Sequence, residues 1–385
     1  MTTPIGVGLV GHEFMGRAHS HAWRSVGAVF GPALTPVMAV LAGRTPDRAA
    51  AAAARLGWAS STGDWRDLLD RDDVQIVDVC TPGDSHAEIA IAALEAGKHV
   101  LCEKPLANTL AEAEAMAAAA RKAAAAGVRS MVAFNYRRVP AVALARRLVA
   151  EGALGEIRHV RAQYLQDWIV DPQFPLVWRL QKDKAGSGAL GDIGSHAVDT
   201  AQYVTGQRLI GVSALTETFI KERPIAAGST GLTASGTSET GAVTVDDAAL
   251  FIGRLSGGGL ASFEATRFAL GRKNALRLEI NGSAGSLAFD FEAMNELWVD
   301  EGGTGFRRIL VTEPDHPYTG AWWPPGHGLG YDHAFTNEIA DFLDAVATGA
   351  DPAPSFEDGL RVQRVLAAVE RSAAGQSAYT TVEES

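Results

Sequence analysis

The sequence has only two cysteines and no long apolar run. Cys80 and Cys102 both lie in apolar, strand-like stretches, which predicts buried reduced thiols rather than a disulfide framework. No stretch approaches the roughly 20 apolar residues that span a bilayer. The short run 5–10 follows no basic segment and is too brief for a signal sequence. We therefore expect a cytoplasmic protein without a transmembrane helix.

An excess of basic residues is also lacking. The 45 acidic and 34 basic residues give a formal charge of -11, which argues against nucleic acid or an anionic membrane as the partner. Three histidines near the N-terminus, His12, His19 and His21, are candidate metal ligands. Helical spacing would place His19 and His21 on different faces, so we expect no metal site.

Residues 1–137 alternate short apolar runs with alanine-rich segments, which we interpret as an N-terminal domain. The apolar runs are 5–10, 37–42, 76–80, 99–102 and 131–134. The segments 47–56, 86–96 and 109–126 contain no internal Gly or Pro and are rich in Ala, the strongest helix former. Strands that alternate with helices of this length predict βαβ units and a doubly wound parallel sheet.

In residues 138–385, strand-like patterns dominate after one helix over 141–150. The predicted strands are 157–165, 209–220, 248–255, 259–268, 277–281 and 286–291. Their short glycine-containing connections predict a large open, mainly antiparallel sheet in a C-terminal domain for substrate binding and oligomerisation. We predict one helix within this region, over 195–204, and interpret the Gly/Ser/Thr-rich stretch 226–243 as a mobile loop. Final helices over 334–348 and 356–374 are expected to pack back on the N-terminal domain.

A glycine-rich turn follows the first predicted strand and opens the first helix. Gly11 permits a tight turn and Gly16 permits close contact between helix and strand, as a Rossmann dinucleotide site requires. Glu13 stands where the pattern has its middle glycine. Either the Glu13 side chain points away from the cofactor phosphates or cofactor binding is weakened.

The end of the second predicted strand carries no acidic residue. NAD-binding Rossmann domains usually place Asp or Glu there to hold the ribose hydroxyls. Here the strand ends in Gly43-Arg44-Thr45, and Arg44 and Thr45 could receive a 2′-phosphate. This feature favours NADP slightly, although an arginine that only stacks on adenine would suit either cofactor.

Two further clusters carry candidate catalytic groups. Lys104 directly follows the predicted strand 99–102, and ligands of open α/β sheets bind outside the carboxyl ends of the strands. Asp192 and His196 are four residues apart, so a helix that begins near 192–195 places both on one face. A carboxylate beside an imidazole fixes the tautomer and raises the basicity that a general base needs. A helix cap and a satisfied core histidine remain the alternative.

With the glycine turn, the motifs EKP at 103–105, NYR at 135–137 and GDIGSH at 191–196 resemble the Gfo/Idh/MocA family of oxidoreductases. A GHG motif at 326–328 and the nearby His333 extend the resemblance over nearly the whole chain. The resemblance implies an NAD(P)-dependent dehydrogenase that transfers a hydride between the cofactor and a secondary hydroxyl of its substrate. That substrate would be a sugar, an anhydrosugar of the levoglucosan type or an inositol. The resemblance favours NAD.

The resemblance also implies roles for individual residues. Lys104 would hydrogen-bond the reacting hydroxyl, His196 would accept its proton and Asp192 would support His196. The residues expected at the cofactor are Gly11, Glu13, Phe14, Met15, Arg44, Thr45, Thr81, Pro82, His86, Glu103, Lys104 and Asn135. The residues expected at the substrate are Tyr136, Trp168, Arg179, Asp192, His196 and His333. A cis peptide is expected before Pro105, where it would set the angle of the lysine.

Two other functions are compatible with these motifs. One is a lyase or glycosidase that keeps NAD bound and recycles it within each turnover. The other is a non-catalytic dinucleotide-binding regulator, with Glu13 as the sign of lost catalysis. The predicted open sheet is a natural face for self-association, so we expect a homodimer or homotetramer.

Overall fold

The computed structural model describes residues 2–230 and 233–383, and the chain divides into two compact units. The first unit contains the residues up to Asn135 together with Tyr331–Arg361. The second contains Tyr136–Ser229, Thr233–Gly330 and the C-terminal residues from Val362. Each helix among the described residues is too short or too polar to span a lipid bilayer.

The first unit is built on a six-stranded sheet in which neighbouring strands run parallel. Its strands are β1 (Thr3–Val10), β2 (Leu34–Ala42), β3 (Ser60–Thr62), β4 (Ile76–Val79), β5 (His99–Cys102) and β6 (Ser130–Val132). Their order, β3-β2-β1-β4-β5-β6, reverses direction between β1 and β4. In a Rossmann fold the dinucleotide lies at that reversal. The predicted doubly wound parallel sheet is confirmed.

Four helices connect these strands, and their ends follow the local sequence. They are α1 (Phe14–Phe30), α2 (Pro46–Leu56), α3 (His86–Glu95) and α4 (Leu110–Ala125). Thr109 and Glu112 form a reciprocal capping box at the start of α4. Gly31 ends α1 in the left-handed conformation, with φ 54°, which glycine adopts without a steric penalty.

The second unit is built on a nine-stranded sheet of order β16-β15-β14-β13-β7-β12-β11-β8-β17. Its strands are β7 (Ile157–Leu165), β8 (Leu209–Glu217), β11 (Ala248–Leu255), β12 (Leu260–Thr266), β13 (Ala275–Gly282), β14 (Gly285–Asp290), β15 (Glu296–Glu301), β16 (Arg307–Leu310) and β17 (Thr380–Thr381). Only the pair of β7 and β12 is parallel among the described pairings of this sheet. The predicted large, mainly antiparallel sheet is confirmed.

The prediction of a mobile loop over 226–243 is wrong. This stretch lies mostly in a two-stranded sheet of β9 (Glu222–Thr230) and β10 (Thr233–Ala242). Small polar residues suggested a loop, but a ladder is held by backbone hydrogen bonds that need no apolar side chain. Threonine, which recurs here, also favours extended backbone.

Helices cover one face of the nine-stranded sheet. The second unit contains α5 (Pro140–Ala150), the short α6 (Lys182–Ala185) and α7 (Ser195–Thr205). The helix α7 contacts β7, β12 and β13. Along β11 buried and exposed residues alternate, with Phe251 buried and its neighbours Leu250 and Ile252 exposed. One face of the sheet therefore packs under helices while the other is open.

Two long C-terminal helices complete the fold. They are α8 (Tyr331–Thr348) and α9 (Phe356–Ala374). The helix α8 belongs to the first unit and packs along α1, where Phe335 and Phe342 enter the same apolar core as Trp23. The helix α8 therefore contributes apolar side chains to the core of the first unit, in addition to those of the βα repeats.

Candidate active site

The turn between β1 and α1 is as tight as a phosphate-binding turn requires. Gly11 has φ 96°, and its N–H donates to the carbonyl of Ala42 at the end of β2. A Cβ on Gly11 would lie 2.7 Å from the carbonyl oxygen of Cys80. A Cβ on Gly16 would lie 2.1 Å from the carbonyl oxygen of Gly11. Only glycine fits at either position without a backbone shift.

The side chain of Glu13 forms an ion pair. Its Oε1 accepts a hydrogen bond of 2.6 Å from the guanidinium of Arg48, in the first turn of α2. Glu13 is also the N-cap of α1, yet its side chain makes no capping hydrogen bond to the first turn of that helix. The N–H groups that begin α1 are therefore not consumed by a side-chain cap. Arg48 thus pairs with the carboxylate of Glu13, the residue that replaces the middle glycine of the pattern.

The other predicted cofactor residues near this turn differ in exposure. Phe14 is partly exposed and stacks on Tyr331 of α8, with 6.3 Å between ring centroids. Met15 packs against the apolar core. Arg44 and Thr45 are exposed in the loop after β2.

The turn after β4 is fastened to the turn after β5 by a buried histidine. Nδ1 of His86 lies 3.0 Å from the carbonyl oxygen of Pro105, and its Nε2 lies 2.9 Å from that of Thr81. Thr81 also accepts a hydrogen bond from Ser85. His86 therefore sets the spacing between the half-buried Thr81-Pro82 segment and the lysine turn.

Lys104 lies half-buried at the carboxyl end of β5, as predicted. The peptide between Lys104 and Pro105 is cis, which confirms that expectation. Glu103 is buried, and its Oε2 accepts the backbone N–H of Lys104 at 3.0 Å. Asn135, at the end of the first unit, is also buried.

These features fit a dinucleotide. The Gly11 turn, the closely approaching Gly16 and the uncapped start of the 17-residue helix α1 together form the pyrophosphate cradle of a Rossmann domain. Lys104, Thr81 and Pro82 lie at carboxyl ends of strands on the same sheet. The first unit can thus hold a nicotinamide dinucleotide with residues that the sequence identified.

In the second unit, His196 lies in a buried aromatic group. Its ring centroid is 4.6 Å from that of Tyr136 and 5.8 Å from that of Tyr164. The two tyrosine hydroxyls are 2.6 Å apart, and Tyr164 donates to Asn274 at 2.6 Å. Hydrogen bonds thus fix the phenols against which the imidazole packs.

Asp192 lies in a π-helical turn, Leu190–Gly194, that leads into α7. Its carboxylate is 3.6 Å from the guanidinium of the fully buried Arg267. That guanidinium also lies over the ring of Trp168, 5.7 Å from its centroid. Arg267 therefore brings two predicted site residues, Asp192 and Trp168, into one neighbourhood.

One aspartate shapes the glycine-rich segment before Asp192. The carboxylate of Asp246 accepts the backbone N–H groups of Gly188 at 2.7 Å and Leu190 at 2.8 Å. A Cβ on Gly188 would lie 1.7 Å from the carbonyl oxygen of Asp246. Glycine is thus required for this approach, and Asp246 sets where the helix that carries His196 begins.

Two other predicted substrate residues each contact a neighbour in sequence. The guanidinium of Arg179 stacks over the ring of Trp178, 4.3 Å from its centroid. His333 belongs to α8 in the first unit, where its Nδ1 lies 3.1 Å from a carboxylate oxygen of Asp332.

Sequence reasoning missed Tyr164, Asn274, Arg267 and Asp246. Tyr164 and Asn274 are 110 residues apart, so no local pattern reveals their contact. Arg267 did leave a signal, because a charged residue interrupts an otherwise strand-like segment beside Phe268. A charge at that position of a buried strand end needs a partner.

Comparisons with known proteins agree with this geometry. Residues 5–133 match a family model described as an oxidoreductase family with an NAD-binding Rossmann fold, and residues 142–288 match the GFO/IDH/MocA C-terminal domain. Levoglucosan dehydrogenase of Pseudarthrobacter phenanthrenivorans is 45% identical over 382 residues, which cover 97% of each chain. A crystal structure of an oxidoreductase domain protein from Kribbella flavida is 63% identical, with a TM-score of 0.95 and full coverage of both chains.

A levoglucosan dehydrogenase has also been solved with NADH and levoglucosan bound. It is 43% identical, with a TM-score of 0.92 and coverage of 99% of this chain and 100% of that one.

Proposed function

Because the chain belongs to the Gfo/Idh/MocA family of oxidoreductases, we propose that it oxidises levoglucosan or a closely similar anhydrosugar with NAD. It is an NAD-dependent dehydrogenase of sugars or anhydrosugars. The observation that carries the choice of substrate is the 45% identity to a levoglucosan dehydrogenase over 97% of both chains. A relative named inositol 2-dehydrogenase is only 27% identical over 78% of this chain.

The proposed roles assign one task to each polar group. His196 accepts the proton of the reacting hydroxyl as general base, and Asp192 supports it. Lys104 donates a hydrogen bond to the same oxygen and stabilises its developing negative charge. NAD, when bound, supplies the hydride acceptor. The imidazole of His196 is buried and packs against the ring of Tyr136, which limits its movement.

The sugar is proposed to lie among aromatic and charged side chains of the second unit. Tyr136 and Trp168 present rings, on which the apolar faces of a sugar ring stack. Asp192 and Arg179 present charged groups that suit the hydroxyls at its edge. Arg267 contributes indirectly, because it pairs with Asp192 and lies over Trp168.

NAD is the proposed cofactor in preference to NADP. The loop after β2 has no acid of its own, but Glu13 brings a carboxylate to Arg48 at the start of α2. A 2′-phosphate at this loop would meet that carboxylate, and the guanidinium of Arg48 is already paired. The exposed Arg44 remains able to stack on an adenine ring.

A substrate and cofactor panel tests the proposal. Initial rates at 340 nm are compared for levoglucosan, L-sorbose, myo-inositol and D-glucose, each with NAD and with NADP. We expect the highest kcat/KM for levoglucosan with NAD. A higher kcat/KM for myo-inositol or glucose would refute the substrate, and a preference for NADP would refute the cofactor.

The same panel separates the two other functions. A lyase or glycosidase that recycles NAD would consume levoglucosan without a net rise in absorbance at 340 nm. A non-catalytic regulator would bind NAD and consume nothing. We expect no regulator, since the chain has Lys104, Asp192 and His196. We expect no lyase or glycosidase, since the 45% identical relative is named a dehydrogenase.

We also propose that the protein is a homodimer or homotetramer that associates through the open face of the nine-stranded sheet. The exposed apolar residues of this sheet are Leu215, Leu250, Ile252, Leu260, Trp298 and Leu310. Leu250 is paired directly with Leu215 across neighbouring strands, so these two apolar side chains lie side by side. An exposed apolar patch of this kind is typical of a protein–protein interface.

A further inference from the structure

A group of three buried ionisable side chains lies within the first unit. Two of them, His19 and Asp78, have no role in the proposed reaction. His19 of α1, Asp78 of β4 and Glu103 after β5 expose 1%, 0% and 3% of their surface. Nδ1 of His19 lies 3.0 Å from both carboxylate oxygens of Asp78. Its Nε2 lies 3.1 Å from Oε1 of Glu103. One imidazole thus bridges two carboxylates from different parts of the chain.

The surroundings favour a protonated imidazole. Burial lowers the pKa of His19, but the charges and hydrogen bonds of its neighbours, Asp78 first and then Cys80, together raise that pKa well above its usual value. An imidazolium donates from both nitrogens, so each carboxylate receives a hydrogen bond. Trp23 donates to Asp78 at 2.7 Å, the Cys80 thiol lies 3.5 Å from Asp78, and the ring of Phe335 in α8 packs on His19.

This grouping also has the spacing of a metal site, yet its chemistry does not need a metal. The potential ligand atoms of His19, Asp78 and Cys80 lie within 4.8 Å of one another. Burial, and then the charge of Asp78, raise the pKa of the Cys80 thiol, whereas a metal binds the thiolate. The imidazole is already bonded by two carboxylates, so hydrogen bonding accounts for the cluster.

The cluster reaches the proposed active site through Glu103. One carboxylate oxygen of Glu103 bonds His19, and the other accepts the backbone N–H of Lys104. We propose that His19 is a positioning residue for Lys104: it orients the carboxylate of Glu103, which holds the backbone from which the lysine side chain projects. This inference rests on the role proposed above for Lys104.

Placement of this lysine matters because its side chain is long and flexible. A hydrogen bond to the backbone N–H of Lys104 fixes the base of its side chain, so the ammonium group samples a smaller volume. A misplacement of about 1 Å at a reacting group can cost roughly 100-fold in rate. His86 restrains the other side of the same turn through the carbonyl of Pro105. Two buried histidines therefore bracket Lys104-Pro105.

Hydrogen exchange at the Lys104 amide tests the link in the ligand-free protein. The variants are His19→Ala, which removes the bridge, and Asp78→Asn, which can preserve it. In Asp78→Asn the amide oxygen can accept from Trp23, while its nitrogen donates to Nδ1 of a neutral His19. The Nε2–H of that His19 still donates to Glu103. Trp58→Phe is the matched control, because it loses a buried hydrogen bond to Ser20 of the same helix.

We expect exchange at Lys104 to become about tenfold faster or more in His19→Ala, as loss of one charge-assisted hydrogen bond implies. Exchange in Asp78→Asn and Trp58→Phe should stay within about threefold of the wild type. Unchanged exchange in a folded His19→Ala protein would overturn the proposal. Equal acceleration in Trp58→Phe would also overturn it, because the effect would then be general loosening. If His19→Ala does not fold, His19→Leu replaces it, because its side chain fills the space without donating a hydrogen bond to Glu103, and the same acceleration is expected.

Kinetics give the second reading. In His19→Ala we expect kcat to fall about tenfold or more, with KM for the sugar changed by less than about threefold, because the positioned lysine acts mainly on the developing alkoxide. Trp58→Phe should keep kcat. Exchange data need no substrate, so a wrong sugar would leave them intact. If exchange at Lys104 accelerates but kcat does not fall, the positioning role of His19 is contradicted, whereas the proposed dehydrogenase function is not.

Discussion

At the scale of residues, the proposed chemistry depends most on His196. Its imidazole is buried against Tyr136 and Tyr164, whose hydroxyls are held by each other and by Asn274. A base in such a rigid setting loses little free energy in reorganisation when it accepts a proton. The residue should therefore affect the chemical step much more than cofactor binding.

Replacing His196 by Ala should lower kcat by roughly 10²–10⁴-fold, the usual contribution of a general base. Affinity for NAD, measured by calorimetry without sugar, should change by less than about threefold, because the residue belongs to the second unit. Steady-state kinetics at 340 nm supply kcat. A variant with wild-type turnover would show that another group takes the proton.

His19 gives the stability of the protein a specific dependence on pH. Its raised pKa in the folded state means that its contribution is complete below the unfolded value of about 6.5 and is lost as pH rises through the folded value. The difference in urea midpoint between wild type and His19→Gln should thus shrink from pH 6 to pH 9. The difference for Trp58→Phe should stay constant. A His19 difference that grows with pH would contradict a protonated imidazole.

The sequence identified those site residues whose position in the fold follows from a local motif. Lys104 was predicted at a strand end because β5 is a short apolar run, and Gly11 because a tight turn follows β1. Tyr164 and Arg267 were missed because their contacts, with Tyr136 and Asp192, join different elements that are distant in the chain. The bridging role of His19 was invisible for the same reason, since its partners lie 59 and 84 residues away.

At the scale of elements, the turn between β1 and α1 is the most constrained part of the first unit. A side chain at Gly16 would overlap the carbonyl of Gly11, whereas Gly27 of the same helix has nothing within 4 Å of an added Cβ. The two glycines of α1 therefore make a matched pair. An alanine at Gly16 tests the steric requirement of the turn, whereas an alanine at Gly27 tests only the general effect of replacing a glycine in a helix.

Gly16→Ala should destabilise the protein by about 1–3 kcal/mol and weaken NAD binding, because the backbone of the phosphate turn must shift. Gly27→Ala should stabilise it by about 0.4–1 kcal/mol, because alanine restricts the unfolded chain and favours helix. Thermal unfolding and calorimetric titration with NAD measure both effects. The idea fails if Gly16→Ala binds NAD as tightly as Gly27→Ala.

Elements with a strong periodic pattern were predictable, and elements held mainly by backbone pairing were not. The alanine-rich helices α2 and α4 and the strands β7 and β11 match their sequence patterns closely. The hairpin of β9 and β10 did not, because its Gly, Ser and Thr residues carry no apolar alternation. The strand β15 was also missed, since acidic residues flank its buried Leu297 and Val299.

At the scale of the whole molecule, the open face of the nine-stranded sheet carries several exposed apolar side chains. Ile252 exposes 63% of its surface and lies between Ser213 and Ser262 on the neighbouring strands. Leu270 exposes 81% but lies in a turn outside the sheet. A substitution at Ile252 therefore tests the proposed interface, whereas the same substitution at Leu270 tests an exposed apolar side chain outside it.

Ile252→Lys should weaken self-association by about 100-fold or more, since a charge buried without a partner at an interface costs several kcal/mol. Leu270→Lys should leave the assembly intact. Sedimentation velocity over a range of protein concentrations measures both. A wild-type protein that is monomeric at micromolar concentration would end the proposal.

The central claim is that the enzyme transfers the hydride of a carbinol carbon of an anhydrosugar to NAD. The hydride then leaves the enzyme as part of the released NADH. Incubation of the enzyme with NAD and levoglucosan deuterated at its carbinol carbons, followed by mass spectrometry of the nicotinamide product, tests this directly. The account predicts one deuterium in each NADH released and an oxidised sugar in equal amount. Sugar consumption with unlabelled cofactor and no net NADH would contradict it.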